Sequence, residues 1–253
     1  MSLRDLQGRT WAIVGASSAL ARAYAHTVAV RGASVILIGR DSDDLTRTAV
    51  DLKVRYGITA TVDSCELADR DSVALLVQRL KPLAAEGRLD LFFAAGVMLP
   101  QSAIEADPKR AAEVIEVNLT APMTVLLGLA PAWEAAKSGT VVVVGSVAGD
   151  RGRLGNHVYG ATKAGLATFT AGLRNRLARS GVHVLTVKPG FLDTAMTWGL
   201  PGVGFAADPS KVSGTILAAA LNRVDVAYVP WIWWGIMTII AHIPEAIFKR
   251  LKI

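Results

Sequence analysis

Cysteine is nearly absent from this chain of 253 residues: Cys65 stands alone, which excludes an internal disulfide framework and a cysteine-cluster metal site. The four histidines, His26, His157, His183 and His242, are far apart and none forms a HExxH-type pair, so no metal site is expected. Charged residues make up only 19% against 52% hydrophobic ones, which excludes a disordered chain or a highly charged filament. No long unit repeats along the chain, which argues against a solenoid. The net charge of +6 comes without a dense Lys/Arg run interleaved with aromatics, so no nucleic-acid partner is expected. The start, Met1-Ser2-Leu3-Arg4-Asp5, lacks the apolar stretch of a secretory signal, and a cytoplasmic location is the expectation.

What is present is an alternation of short apolar runs and helical segments. Strands are predicted at 10–14, 35–38, 59–65, 89–94, 141–144 and 182–187. Helices are predicted at 19–31, 43–56, 71–86, 108–136 (interrupted near Pro122), 156–179 and 210–222, with a Gly/Pro-containing loop from Pro189-Gly190 to Pro209. Strands apolar on both faces, each followed by a helix, indicate an α/β fold with a doubly wound parallel sheet of the Rossmann type. Ligands then belong at the carboxyl ends of the strands. A single catalytic domain is expected over 1–225, followed by an apolar tail over 226–253.

Gly15-Ala16-Ser17-Ser18-Ala19-Leu20-Ala21 joins the first strand to the first helix. A small-residue turn there lets backbone N–H groups and the helix N-terminus meet a pyrophosphate. An ordinary strand-to-helix turn has a similar composition, so the end of the second strand is informative. Enzymes using NAD usually place an acidic residue there for the ribose hydroxyl. This chain has Gly39-Arg40 instead, and Arg40 suits a 2′-phosphate, with Ser17 or Ser18 as hydroxyl donors. NADPH is therefore the expected cofactor, ahead of NADH.

Ser146 follows the Val141–Val144 run, and Tyr159 and Lys163 stand four residues apart at the start of the next helix, on one face. An ammonium beside a phenol favours the phenolate and lowers its pKa, which suits tyrosine to general acid/base work. Ser146 is placed to hydrogen-bond a carbonyl or alkoxide oxygen. Asn118, in an earlier helix, is a candidate to orient a water leading to Lys163.

With Gly15–Ala21, Ala94-Ala95-Gly96, Asn118-Leu119, Ser146-Val147-Ala148-Gly149, Tyr159-Gly160-Ala161-Thr162-Lys163 and Pro189-Gly190-Phe191-Leu192-Asp193-Thr194 in this order, the chain resembles the short-chain dehydrogenase/reductase family over residues 8–225. The resemblance implies reversible hydride transfer between a nicotinamide and a carbonyl/alcohol pair, with a catalytic tetrad of Asn118, Ser146, Tyr159 and Lys163. It implies that Lys163 also binds the nicotinamide ribose, that Thr194 and the backbone near Phe191 hold the carboxamide, and that Glu66 and Leu67 face the adenine. It also implies a homodimer or homotetramer. Two departures stand out: alanines at 19 and 21 replace glycines, and Ala94 replaces the usual asparagine. A narrower set, Gly149-Asp150-Arg151-Gly152-Arg153, Asn156, Tyr159-Gly160 and Gly172-Leu173-Arg174, is similar to the polyprenyl-phosphate ketopentose reductases. That likeness implies a lipid-linked sugar as substrate. Arg151 and Arg153, between Ser146 and Tyr159, are candidates for an anionic part of the substrate.

Residues 226–244 contain no Asp, Glu, Lys or Arg, and Trp231, Trp233 and Trp234 cluster there. Ile232, Ile236, Ile239, Ile240, Ile243 and Ile247 share one helical stripe, and Lys249, Arg250 and Lys252 come after it. A helix over 231–243 is too short to span a bilayer. Peripheral contact with the inner face of a membrane is expected, with a subunit interface or a lid over the cleft as the competing uses. The leading expectation is a reductase of a ketone on a lipid-linked or apolar substrate. The alternatives are a soluble ketoreductase acting on a small alcohol or acyl chain, and a silent nucleotide sensor or scaffold.

Overall fold

Residues 6–194 and 206–251 are described by a computed structural model of the chain. The strands are β1 (Thr10–Val14), β2 (Ser34–Gly39), β3 (Ala60–Ser64), β4 (Leu89–Phe93), β5 (Thr140–Val144), β6 (His183–Pro189) and β7 (Val226–Val229). The helices are α1 (Ala19–Ala29), α2 (Ser42–Tyr56), α3 (Arg70–Ala85), α4 (Gln101–Ala106), α5 (Lys109–Ile115), α6 (Ala121–Ala136), α7 (His157–Ala178), α8 (Pro209–Leu221), α9 (Ile232–His242) and α10 (Glu245–Phe248). All seven strands run parallel, in the order β3-β2-β1-β4-β5-β6-β7.

Strand periodicity explains why the sheet is covered twice. Ile13, Leu37, Phe92, Val142 and Leu185 point to one face and pack with Leu20, Tyr24 and Val28 of α1 and with Ile216 of α8. Their neighbours Val14, Ile38, Phe93, Val143 and Val184 point to the other face, against Leu76 and Leu80 of α3, Leu126 and Trp133 of α6 and Leu166 of α7. Each such side chain taken fully out of water contributes about 1.5–3 kcal/mol.

The chain moves outward from β1 to β3, then returns to place β4 on the other side of β1. The carboxyl ends of β1 and β4 thus form the switch point where such sheets bind ligands. Gly15 leaves β1 with φ +82°, and a Cβ on it would lie 2.7 Å from the Ala95 backbone. Only glycine fits both the dihedral and the approach.

The sheet does not end at residue 225. Val226–Val229 forms β7, in register with β6 through Thr186↔Val226 and Pro189↔Val229. The first four residues of the apolar tail are therefore part of the sheet, and the tail leaves it at Pro230. The helix in the tail, α9, matches the predicted span closely. The run Lys109–Ala136 is, among the described residues, the one helical stretch long and apolar enough to cross a membrane, but half of its most apolar window is buried in the core. Part of the loop before α8 (195–205) and Lys252 fall outside the described residues.

Candidate active site

The predicted dinucleotide loop has an open first turn. Ser17, Ser18 and Ala19 are exposed, whereas Ala16, Leu20 and Ala21 are buried. The Ser18 hydroxyl accepts from the Ala21 N–H at 3.3 Å and caps α1. The first N–H groups of a helix have no carbonyl within it to bond, so they are available to an anion. Ala19 and Ala21 leave this turn accessible, the former on the exposed side and the latter in the core. Arg40 stands at the end of β2, 3.5 Å from the Glu66 carboxylate; the arginine is exposed and the glutamate half-buried. Glu66 also accepts from the Ala68 N–H at 3.0 Å, while Leu67 is buried. A helix N-terminus, a crowded Gly15 and an exposed arginine at the neighbouring strand end fit a phosphorylated dinucleotide.

Asn118 is shaped by a proline four residues on. Pro122 has no N–H for the Asn118 carbonyl, and its ring crowds that oxygen. The helix widens there into a π turn, Glu116–Thr120, and continues into α6. The interruption expected near Pro122 is thus a bulge within a continuous helical run. It turns Asn118 into the core, where Oδ1 accepts from the Val97 N–H and Nδ2 donates to the Val97 carbonyl, both at 2.8 Å. Nδ2 also donates to Thr162 Oγ1 at 3.3 Å. The amide is therefore engaged by protein groups. A Cβ on Gly96 would lie 3.2 Å from Asn118 Oδ1 and 3.4 Å from Lys163 Nζ, so Ala95-Gly96 sits directly beside the lysine.

Two further glycines dock the Ser146 loop on α7. A Cβ on Gly149 would meet the Ala164 nitrogen at 2.7 Å, and one on Gly160 would meet the Ala148 carbonyl at 2.8 Å. Ser146 opens the short 3-10 turn Val147–Gly149, its hydroxyl accepting from the Ala148 N–H at 3.1 Å. This close fit sets the Ser146 turn against the helix that carries Tyr159. Lys163 is buried, and its Nζ donates to the Val144 carbonyl at 3.2 Å and lies 5.7 Å from the Tyr159 ring centre.

The electrostatics differ from the expectation. Burial holds the Tyr159 phenol above its ordinary pKa, opposed by the Ser146 hydrogen bond, and Lys163 does not lower it. The ammonium points at the Val144 carbonyl and the face of the ring, and desolvation outweighs its attraction. Burial also lowers Lys163, to about 8. At neutral pH the phenol is thus protonated and the lysine charged, the pair of states a proton donor needs.

Pro189, Gly190, Phe191 and Thr194 lie at and beyond the end of β6. The Gly190 N–H donates to the Val229 carbonyl at 3.0 Å. The Trp233 indole fills the space over Gly190, where a Cβ would lie 1.9 Å from its nitrogen, and meets Phe191 edge-on at 5.4 Å between ring centres. One face of α9 therefore closes this end of the cleft, with Met237 buried one turn on.

The two candidate arginines part company. Arg151 donates to the carbonyls of Ala241 and Ile243, each at 2.8 Å, and to Glu245 at 2.7 Å, and it stacks 4.1 Å over the Phe248 ring. It caps the end of α9 and is not free to take a substrate anion. Among the described residues the Arg153 side chain has one hydrogen-bond partner, Met237 Sδ at 3.1 Å; its Nε is buried without a partner, and burial lowers its pKa, opposed by Asp150. The Asn156 side-chain oxygen nearby is likewise buried and unpartnered.

Sequence reasoning missed several supports of the site. Gln101 accepts from the Val158 N–H at 3.3 Å and lies 2.9 Å from His157 Nε2, capping the helix that carries Tyr159 in place of Asn156. Nothing local marks Gln101 for this. Thr162, within the quoted motif, donates to the Tyr159 carbonyl at 2.7 Å. Trp233 left only the general signal of a tryptophan-rich tail.

The chain is similar to several known proteins. Over 86% of this chain and 91% of its own, cis-4-hydroxycyclohexanecarboxylate dehydrogenase of Sinomonas cyclohexanicum is 35% identical. Sulfoacetaldehyde reductase of Chromohalobacter salexigens is 32% identical over 95% of this chain and 91% of its own. The solved structure of a short-chain dehydrogenase from Sphingobium yanoikuyae in complex with NADPH superposes with a TM-score of 0.82, at 25% identity, over 94% of this chain and 97% of that one. Residues 9–201 match the family described as short chain dehydrogenase, and with Ser146, Tyr159 and Lys163 gathered beside an open dinucleotide turn the chain belongs to the short-chain dehydrogenase/reductase family of NAD(P)-dependent oxidoreductases.

Proposed function

We propose that the protein is an NADPH-dependent reductase that converts a ketone to an alcohol. The observation that carries this is the gathering of buried Tyr159 and Lys163 on one face of α7, against the docked turn that Ser146 opens. Bound NADPH supplies the hydride. Ser146 and Tyr159 hold the carbonyl oxygen, Tyr159 gives it the phenolic proton as charge develops there, and Lys163 stabilises the resulting phenolate. Asn118 keeps Val97 and Thr162 in place beside the lysine. Gly15, Ser17, Ser18, Ala19 and Leu20 receive the pyrophosphate, Arg40 the 2′-phosphate, and Glu66 and Leu67 the adenine. Lys163, with Ala95-Gly96 beside it, holds the nicotinamide ribose, and Pro189–Phe191 with Thr194 the carboxamide.

Two substrate readings compete, and different features favour them. The outer face of the tail, with Trp231, Ile232, Trp234, Ile239, Ile247 and Leu251 exposed beside exposed Lys249 and Arg250, favours a lipid-linked or other apolar ketone taken up at the cytoplasmic face of a membrane. Arg153 forms no ion pair among the described residues, Asp150 acting on it only at longer range, and its buried Nε has no partner, which favours an anionic group on the substrate. The relatives named for sulfoacetaldehyde and for cis-4-hydroxycyclohexanecarboxylate point to a small molecule bearing such a group. Both readings share Arg153, because a lipid phosphate is also an anion. Exposed Ile115 and Leu127 on the long helices support a homodimer or homotetramer.

NADPH oxidation followed over a panel of neutral, sulfonated, carboxylated and phosphorylated ketones tests the reaction. Absence of turnover across the panel, with NADPH bound, would leave the sensor reading. Arg153→Gln should weaken the anionic ketones about 10- to 100-fold and leave the neutral ones unchanged. Flotation with anionic vesicles tests the tail. Removing residues from 228 onward would tear Tyr228 and Val229 out of β7, so the informative variant is Trp231→Ser/Trp234→Ser. Wild type should float, less so in high salt, and the variant should not. If both stay in the aqueous fraction, the small-molecule reading stands.

A further inference from the structure

Asp150, Lys188 and Tyr228 are far apart in the chain and meet at the carboxyl edge of the sheet. Lys188 and Tyr228 are direct register partners in β6 and β7. The Lys188 ammonium donates to Asp150 Oδ1 and reaches Tyr228 Oη at 3.4 Å, and the Tyr228 hydroxyl donates to Asp150 Oδ2 at 2.9 Å. The ion pair is largely buried, with side chains 17% and 9% exposed. Burial disfavours the charge on Lys188, and Asp150 more than offsets this, so the lysine stays charged.

Each member belongs to a different part of the site. Asp150 ends the turn that Ser146 begins. Lys188 immediately precedes Pro189-Gly190, and Tyr228 immediately precedes Val229, whose carbonyl holds Gly190. The Ser146 loop is thus tied on one side to α7, through Gly149 and Gly160, and on the other to β6 and β7, through Asp150. Stability does not call for such a pair, since buried ion pairs are commonly replaced by apolar residues at no loss.

We infer that Asp150, Lys188 and Tyr228 are positioning residues that hold the Ser146 loop at a set distance from the Pro189–Phe191 segment. The inference rests on the hydride-transfer reading, because that distance governs how a carbonyl on Ser146 faces the nicotinamide. A misplacement of about 1 Å can lower turnover on the order of 100-fold.

The test compares wild type with Asp150→Asn, Tyr228→Phe and Asp150→Asn/Lys188→Met. Three quantities are measured: the unfolding midpoint, the affinity and emission enhancement of bound NADPH, and kcat on a ketone from the panel. Asp150→Asn leaves Lys188 without its counter-charge, and its midpoint should drop. The double variant removes both charges, and its midpoint should recover. In both, NADPH should bind within about threefold of wild type, because the adenine end is untouched. In both, kcat should fall about 10- to 100-fold and the emission enhancement should shrink, as the nicotinamide is less confined. Tyr228→Phe removes the hydrogen bond to Asp150 and the longer one from Lys188 but keeps the ion pair, and should show the same change in smaller measure. Recovery of kcat and emission together with the midpoint in the double variant would overturn the inference, as would wild-type values of both in Asp150→Asn. A wild type that binds NADPH but reduces no ketone would instead strike the function, and the emission comparison would still decide the positioning role. A wild type that binds neither NADPH nor NADH would overturn both.

Discussion

Arg40 and Lys163 are both cations at the carboxyl edge of the same sheet, and their surroundings differ in almost every respect. The Arg40 side chain is 74% exposed and faces Glu66 across 3.5 Å of accessible space. Lys163 is 4% exposed, has no acidic partner among the described residues and donates to a backbone carbonyl. In water the attraction between charges is weak and screened, so the Arg40 end works by contact with whatever anion arrives. At the Lys163 end desolvation changes the acid–base behaviour of the groups themselves. Under the proposed function one end selects the cofactor and the other performs chemistry, and the two ends differ in hydration more than in residue type.

The sharpest way to break this contrast is at the buried end. Tyr159→Phe removes the transferable proton and one hydrogen bond while preserving the packing of the ring. Turnover should fall about 100- to 10,000-fold with the unfolding midpoint nearly unchanged. Retention of near-normal turnover on an active ketone would show that the proton comes from elsewhere.

Lys163→Met should separate function from stability. The folded-state pKa of about 8 lies below the ordinary lysine value of 10.5, so the unfolded chain binds more protons between them. Wild-type stability should therefore rise as pH rises from about 8 to 10.5, and this rise should vanish in Lys163→Met. At pH 7 the variant should be more stable by about 1–3 kcal/mol and nearly inactive. Reduction by wild type should be flat near neutrality and decline as pH passes about 8, where Lys163 loses its proton while the raised Tyr159 keeps its own. A rate that climbs through that range would contradict the assignment.

The exposed end should give smaller effects. Arg40→Ala should weaken NADPH about 10-fold and leave NADH unchanged, as fluorescence titration of both would record. Equal wild-type affinities for the two would remove the 2′-phosphate assignment. Glu66→Gln frees Arg40 from its partner and should tighten NADPH by no more than about fivefold, since an exposed ion pair contributes at most about 1 kcal/mol.

Much of the architecture was legible in the sequence because strands buried on both faces and amphipathic helices leave different periodicities. The Ser146, Tyr159 and Lys163 cluster was legible for a related reason: its members are close in sequence and stand at element boundaries. Other features were hidden by their composition or separation. The strand Val226–Val229 sits within a charge-free run, so apolarity there could not distinguish sheet from tail. Pro122 announced a disturbance, but not that the helix would absorb it as a π turn. Arg151 reads as a candidate for a substrate anion until α9 folds back upon it. Lys188 and Tyr228 are joined by strand register and Asp150 reaches them from the turn after Ser146, which no local pattern reveals. The direction of the Tyr159 shift depends on solvent exclusion by residues far away in the chain.

Gly149 and Gly160 carry a consequence for altering the substrate range of this scaffold. A methyl group at either position would collide with backbone, and backbone cannot step aside as a flexible side chain can. The seam between the serine loop and the tyrosine helix is therefore a poor place for diversity, since enlarging a residue there shifts the reacting groups for every substrate alike. Variation is tolerated better on either side of the seam, in the stretch from Arg153 to Asn156 and along the inward face of α9, where side chains meet side chains. A library confined to those positions would change what the cleft admits while leaving the hardware of proton delivery in one piece.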